Sequence, residues 1–188
     1  MSHLFSSLSD QKMRGPKDLG MRICIIGRSS SGKSSLANRL GSKLKIPVYH
    51  LDQLAHLPHT NWQRRPNPEL IAAHDKIIQT DKWIIEGNYS CCMPQRFQRA
   101  TFVIWLDPPV LGCLWRYIRR SLRRAPERVG GLVGAKGEFS FSLVRFTLFQ
   151  YPKNRVKYKK LLTKGPPFLI LSSLRCLNRL YKELGLIL

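Results

Sequence analysis

Residues 24 to 40 read CIIGRSSSGKSSLANRL: an apolar run, a turn of glycine and serine, and then a second apolar pattern. The first run is short and continuous, as in a buried strand. Leu36, Ala37 and Leu40 then recur at the spacing of one helix face. Glycine lets the backbone curl closely around a ligand, and the first amides of a helix have no partner within it. The stretch therefore predicts a strand, an anion-binding turn and a helix.

The turn has the spacing G-x-x-x-x-G-K-S, which is typical of the phosphate-binding loop of nucleotide hydrolases and kinases. The strand and helix around it supply the context that this motif requires, which a chance glycine–serine turn would lack. Lys33 is expected to reach the β- and γ-phosphates of ATP, and Ser34 to coordinate Mg²⁺. The residues predicted to bind the nucleotide are Gly27, Arg28, Ser29, Ser30, Ser31, Gly32, Lys33, Ser34 and Ser35.

The chain has 188 residues, enough for one domain with a substantial core. Its hydrophobic content of 43% is that of a globular protein. No uninterrupted apolar stretch approaches the roughly 20 residues that span a bilayer. We expect residues 1–20, which are polar, to be a flexible extension and residues 21–188 to form the domain. Five cysteines without a C-x-x-C pair predict free thiols and a cytoplasmic protein.

Four further apolar runs, at 46–54, 82–89, 100–109 and 166–173, predict strands that alternate with helices. This alternation predicts an α/β fold, a parallel sheet of about five strands with helices on both faces. Ligands bind such sheets beyond the carboxyl ends of the strands. Asp52, Asp107 and the residues 86–88 fall at those ends, beside the predicted phosphate loop.

Positive charge is unevenly distributed along the chain. The net charge is +21, and residues 116–164 hold fourteen Lys and Arg against only Glu127 and Glu138. This concentration predicts an anionic partner: nucleotide phosphates, a nucleic acid or an acidic membrane. The glycine-rich stretch 125–138 within it predicts a mobile loop, and we interpret residues 120–160 as a basic lid.

The sequence has neither the N-K-x-D motif nor the D-x-x-G motif of a GTPase. It resembles the P-loop nucleoside and nucleotide kinase superfamily, the adenylate kinase-like group that includes shikimate kinase. It is most similar to the bacterial topology modulation protein (FlaR-like) subgroup. The resemblance covers residues 21 to 188 and rests on the 27–34 loop, VYHLDQL, WIIEGNY, VIWLDPP with CLWRYIRR, and FQYPKNR.

The resemblance implies roles for two carboxylates. Glu86 matches the position at which adenylate kinases have an aspartate that helps to hold hydrated Mg²⁺, although a surface carboxylate at a strand end is the alternative. Asp52 matches the acidic residue that shikimate-type kinases place against the acceptor hydroxyl, which it would orient and deprotonate. The alternative for Asp52 is a helix N-cap. His50, on the same side of the strand, is either a substrate contact or a core histidine.

The resemblance also implies phosphate-binding arginines. Arg120 is the best match to the lid arginine that clamps phosphate near the base, and Arg155 to one on the return from the lid. For the other arginines of 116–124, the alternative is a solvated charge on the helix surface. Residues expected to line the acceptor pocket are Trp62, Arg64, Arg65, Asn88 and Tyr89.

These observations predict an ATP- and Mg²⁺-dependent kinase whose acceptor is a small molecule or a nucleotide. Catalysis is assigned to Lys33, Asp52, Arg120 and Arg155. The alternative is a nucleic-acid-binding P-loop protein, acting in DNA topology modulation or as a polynucleotide-end kinase. Basic residues between 145 and 160 alternate with Phe146, Phe149, Tyr151 and Tyr158, which favours single-strand stacking or, equally, a helix core.

Overall fold

The computed structural model describes residues 16–60, 62–122, 131–132 and 140–186. The strands are β1 (Arg22–Gly27), β2 (Val48–His50), β3 (Trp83–Glu86), β4 (Phe102–Leu106) and β5 (Phe168–Leu171). The helices are α1 (Lys33–Leu44), α2 (Leu51–Ala55), α3 (Asn67–Ile78), α4 (Met93–Arg99), α5 (Val110–Leu122), α6 (Phe141–Arg145), α7 (Tyr151–Leu162) and α8 (Leu174–Glu183). A π-helical segment, Phe146–Gln150, joins α6 to α7.

All five strands pair in parallel, in the order β2-β3-β1-β4-β5. The central strands β1, β3 and β4 are buried along almost their whole length, as their apolar sequences predict. Because the strands run in the same direction, their carboxyl ends meet at one edge of the sheet. The α/β fold with helices on both faces is confirmed.

Alternate residues of β1 enter two different cores. Ile23 and Ile25 pack with α1 and α8 on one face, whereas Cys24 and Ile26 pack with α3, α4 and α7 on the other. Residues 141–162 are helical throughout and comprise α6, the π-helical segment and α7. Buried strands thus fix the position of β1 and of the loop that leaves it.

Three details differ from the sequence-based expectation. The second apolar run is divided between β2 and α2, because the strand ends at His50 and the chain turns at once into a helix. Helix α4 was not expected; its Pro94 occupies the first turn, where proline is tolerated, and Phe97 is buried. The fold also begins before Met21, because Pro16–Leu19 forms a 3₁₀ turn and Leu19 is fully buried in the core.

The helices of the described residues include none that is long and apolar enough to cross a bilayer. Of the predicted lid, residues 123–130 and 133–139 lie outside the described residues. Gly131 is described, and its carbonyl accepts a 2.9 Å hydrogen bond from the Gln53 side chain on α2.

Candidate nucleotide and acceptor site

The loop between β1 and α1 requires glycine at both of its ends. Gly27 has φ 145°, and a Cβ there would collide with the Leu106 carbonyl of β4. Gly32 has φ 100° and caps α1 in the left-handed conformation that favours glycine. The loop therefore lies closely against the sheet edge and directs the first amides of α1 to one place.

Side chains of the loop are arranged as an anion site would need. Lys33 Nζ donates a 2.8 Å hydrogen bond to the Arg28 carbonyl and so lies folded over the loop. The hydroxyls of Ser30 and Ser31 are buried and make no hydrogen bond to any described residue. Buried hydroxyls normally have a partner. That these two hydroxyls have no partner among the described residues fits a phosphate group bound in the loop.

Glu86, at the end of β3, meets the loop from the neighbouring strand. Its Oε1 accepts hydrogen bonds from Ser34 Oγ at 3.0 Å and from His50 Nδ1 at 2.9 Å. The other ring nitrogen of His50 lies 3.1 Å from Asn38 Oδ1. Burial alone would raise the pKa of Glu86, but the His50 hydrogen bond and the charge of Lys33 outweigh it and lower the pKa. The side chain is therefore a carboxylate at neutral pH.

A hydroxyl and a carboxylate are the oxygen donors that Mg²⁺ accepts beside water and substrate phosphates. Ser34 and Glu86 supply such a pair, 3.0 Å apart. Among the described residues there is no group of three or more His, Cys, Asp or Glu side chains suited to a metal. The donor set thus fits a phosphate-associated Mg²⁺ better than a metal held by protein ligands alone.

Asp52 lies in the first turn of α2 and is not its N-cap, which is His50. Its Oδ1 accepts a 2.8 Å hydrogen bond from the Tyr89 hydroxyl. Burial and the neighbouring Asp52 raise the pKa of Tyr89 well above its usual range, so the phenol keeps its proton. Asp52 is partly exposed, and its second carboxylate oxygen has no hydrogen bond in the described structure.

Asn88 joins the turn after β3 to the phosphate loop. Its Oδ1 accepts a 2.9 Å hydrogen bond from the Gly27 amide, and its Nδ2 donates a 2.6 Å bond to the Gly27 carbonyl. We predicted Asn88 as an acceptor-pocket residue. In this structure its amide holds the first residue of the loop, and its role in the acceptor pocket stays a prediction.

A third carboxylate, Asp107, lies behind the loop at the end of β4. Arg28 Nε lies 3.2 Å from Asp107 Oδ1, and Arg155 Nε donates a 2.6 Å hydrogen bond to Oδ2. The Arg28 guanidinium also stacks over the Tyr151 ring at 4.5 Å. Arg28 therefore contributes its backbone to the loop while its side chain is directed to Asp107. Arg155 bonds to the same carboxylate, which connects it to the Arg28 side chain of the loop.

Arg116 of α5 contacts the loop: its Nε donates a 2.8 Å hydrogen bond to the Ser30 carbonyl. Arg120, the sequence-based choice, lies with its guanidinium 5.6 Å from the Tyr117 ring, and its role stays a prediction. Sequence spacing does not separate the two, because both are arginines of one helix.

Three further predicted pocket residues, Trp62, Arg64 and Arg65, lie in the connection from α2 to α3. Trp62 packs edge-on against the His56 ring at 5.3 Å, and Arg64 donates a 2.9 Å hydrogen bond to Asn67. Burial is the main cause of the raised pKa of Tyr89. The positive charge of Arg64 acts in the opposite direction and lowers this pKa. Arg65 pairs with Glu69 at 3.6 Å and bonds the Leu54 carbonyl.

No protein-family model and no curated protein matches this sequence. Solved structures do. Shikimate kinase from Acinetobacter baumannii in complex with shikimate is 12% identical, covers 88% of this chain and 94% of its own, and superposes with a TM-score of 0.56. Deoxyadenosine kinase from M. mycoides with bound dATP is 14% identical, covers 88% and 99%, and gives 0.50.

Shikimate kinase from Bacteroides thetaiotaomicron, 12% identical, covers 86% and 97% of the two chains with a TM-score of 0.50. At these identities the similarity shows the fold. This chain has the five-stranded parallel α/β fold of the P-loop kinases.

Proposed function

We propose that this protein is an ATP-dependent phosphotransferase that transfers the γ-phosphate of ATP to a hydroxyl or phosphate of a small-molecule or nucleotide acceptor. The observation that carries the proposal is the convergence of three groups at one sheet edge. These are the glycine loop with Lys33, the Ser34–Glu86 pair, and the Asp52–Tyr89 pair. The register supports it, because His50 of β2 and Ile25 of β1 both pair with Glu86 of β3.

Each group has a distinct task in phosphoryl transfer, which depends mainly on positioning and charge. Loop amides and Lys33 would hold the β- and γ-phosphates. Asp52, held by Tyr89, would accept the proton of the acceptor hydroxyl as its oxygen attacks the γ-phosphorus and ADP leaves. Ser34 and Glu86 would hold a Mg²⁺ ion, which neutralises phosphate charge when bound. Arg116 and Arg155 would add positive charge beside the loop.

We place the protein in the topology modulation (FlaR-like) subgroup of these kinases and in the cytoplasm. The subgroup assignment is supported by the combined sequence blocks named above. The cytoplasmic assignment is supported by the five cysteines, all of which are free thiols in the structure.

The alternative function, nucleic-acid binding, is favoured by one observation. Lys153, Lys157 and Lys160 lie exposed on α7, near Phe149, which is 67% exposed. Against it, Tyr151 and Tyr158 are 1% exposed and belong to the core, so they are not available to stack on bases. The stacking surface is therefore smaller than the sequence alone suggested.

The test is an acceptor screen with ATP and Mg²⁺ over sugars, nucleosides and nucleotides, read as ADP formed. We expect one class of acceptor to stimulate ADP formation at least tenfold over the rate without acceptor. The Lys33→Ala variant should abolish that stimulation. Absence of ATP binding by calorimetry in the unmodified protein would refute the proposal.

A further inference from the structure

Helix α4 carries an arginine that is completely buried. Arg96 is 0% exposed, and its Nη2 donates one 2.9 Å hydrogen bond to the Gly87 carbonyl. Its Nε and Nη1 atoms make no hydrogen bond to any residue that the structure describes. No ion pair within the described ranges includes it either.

Such a side chain is not explained by stability. Guanidinium presents five N–H donors and stays charged. A buried charge without a counter-charge is costly, and an apolar side chain of similar volume often serves the fold equally well. The position of the one hydrogen bond is therefore the informative feature of Arg96.

The charge of Arg96 acts on residues of two neighbouring elements, α3 and β1. Burial lowers the pKa of His74 on α3, and the charge of Arg96 acts in the same direction. Burial raises the pKa of Cys24 on β1 to about 12 against the opposing influence of Arg96. Arg96 lies within the core, in hydrogen-bond contact with the Gly87 carbonyl that follows β3.

The carbonyl that Arg96 holds belongs to the turn that carries the candidate site. Gly87 has φ 130°, and its amide donates a 3.0 Å hydrogen bond to the Ile25 carbonyl of β1. Glu86 precedes it and Asn88 follows it. The carbonyl of Asn88 accepts a 3.2 Å hydrogen bond from the Tyr158 hydroxyl. The turn is therefore held from β1, α4 and α7 at successive peptide groups.

We infer that Arg96 is a positioning residue that fixes the 86–89 turn through the Gly87 carbonyl. By doing so it holds Glu86 against Ser34, Asn88 against Gly27, and Tyr89 against Asp52. Arg96 touches none of the reacting groups and acts only through this turn. Its effect on turnover rests on the proposed function, whereas its effect on the geometry of the turn does not.

The experiment compares Arg96→Met and Arg96→Lys with a control, Arg99→Met, which removes the same charge from the same helix. Hydrogen exchange of the 84–89 and 22–28 segments reports the turn and the loop without any requirement for activity. Arg96→Met should speed exchange of the Gly27 and Gly87 amides at least tenfold. Arg96→Lys, which keeps a donor and the charge, should recover part of the protection, and the control should match the unmodified protein.

Turnover is the second measurement. Arg96→Met should lower kcat about tenfold or more, because the turn that positions Glu86 and Tyr89 loosens. The KM for ATP should change less than threefold, because Lys33 and the first amides of α1 are not bonded to that turn. Circular dichroism separates this outcome from unfolding. If the Gly27 and Gly87 amides of a folded Arg96→Met variant exchange as in the unmodified protein, the inference is overturned. If these two amides exchange faster but neither the unmodified protein nor any variant shows kinase activity, the inference stands and the proposed function fails.

Discussion

Two regions of the molecule use their polar side chains in opposite ways. The loop edge, defined as residues 27–34, 50–52 and 86–89, joins side chains that are far apart in sequence, such as Ser34 and Glu86. The basic helices, defined as α5 to α7, expose apolar and charged groups instead: Leu111 is 76%, Trp115 65% and Phe149 67% exposed. Hydrogen bonds between side chains fix the geometry of the loop edge, whereas the basic helices concentrate positive charge.

The difference indicates where each kind of interaction acts. Preorganised contacts stabilise charge that develops at one point, as phosphoryl transfer requires. Charges on exposed helices act at longer range and are screened by salt. Substitutions at the loop edge should therefore change catalysis strongly, and those on the outer faces of the basic helices should change it little.

The largest effect is expected at Lys33. Lys33→Ala removes the loop ammonium and should lower turnover by about 10³-fold, since a lost stabilising donor commonly costs about 10²- to 10³-fold. Lys43→Ala, at the exposed end of the same helix, is the control and should retain full turnover. Steady-state kinetics and ATP calorimetry measure both. Unchanged ATP affinity and turnover in the Lys33 variant would remove the basis for the phosphate-loop assignment.

The second-largest effect on turnover is expected for Asp52→Asn. It should lower kcat by about 10²-fold, the lower end of typical general-base contributions. ATP affinity should stay within about threefold, because Asp52 contacts Tyr89 and not the phosphate loop. Tyr89→Phe should have a smaller effect of about tenfold, because it loosens the carboxylate without removing it. A loss of less than threefold in the Asp52 variant would indicate that this carboxylate only stabilises the start of α2.

The third prediction concerns Asp107, which connects the two regions. Asp107→Asn leaves Arg28 and Arg155 without their carboxylate, and loss of one partner of a buried pair costs about 3 to 5 kcal/mol. Because the Arg155 side chain is 44% exposed, we expect about 2 to 3 kcal/mol by urea unfolding. Glu183→Gln, in the exposed pair with Arg179, should cost less than about 0.5 kcal/mol. Equal losses in the two variants would contradict the coupling of α7 to the loop through Asp107.

The sequence was most informative where one local motif determines structure. The glycine spacing of residues 27–34 and the alternating apolar runs predicted the loop, the strands and the parallel sheet, because each depends on neighbouring residues. Helix α4 was missed because its pattern is too short, with a single buried aromatic at Phe97.

Contacts between distant segments could not be predicted in the same way. Arg116 and Arg120 lie on one helix, and only the packed structure shows which of them contacts Ser30. No feature of the sequence distinguishes Arg96 from the other arginines, although it is fully buried. Whether a charged side chain enters the core depends on how helices pack on the sheet, which composition and spacing do not specify.

The smallest effect on catalysis is expected on the basic helices. Substituting Lys153, Lys157 and Lys160 by Gln should leave turnover within about twofold, because these side chains are exposed on the outer face of α7. The same variant tests nucleic-acid binding. The logarithm of the affinity for a single-stranded oligonucleotide should fall by about 0.7 per phosphate contact for each tenfold rise in salt concentration. The loss of three contacts would therefore reduce this slope by about two.

The matched control replaces three exposed lysines elsewhere, Lys43, Lys82 and Lys182, by Gln and thus changes the net charge equally. If the net charge alone attracts oligonucleotides, both triple variants should weaken binding alike, and binding should vanish at physiological salt. A selective loss in the α7 variant, with tight binding of the unmodified protein at that salt, would show that α7 is a nucleic-acid surface. It would also favour a polynucleotide over a small molecule as the acceptor, because the charge outside the loop edge would then have a specific partner.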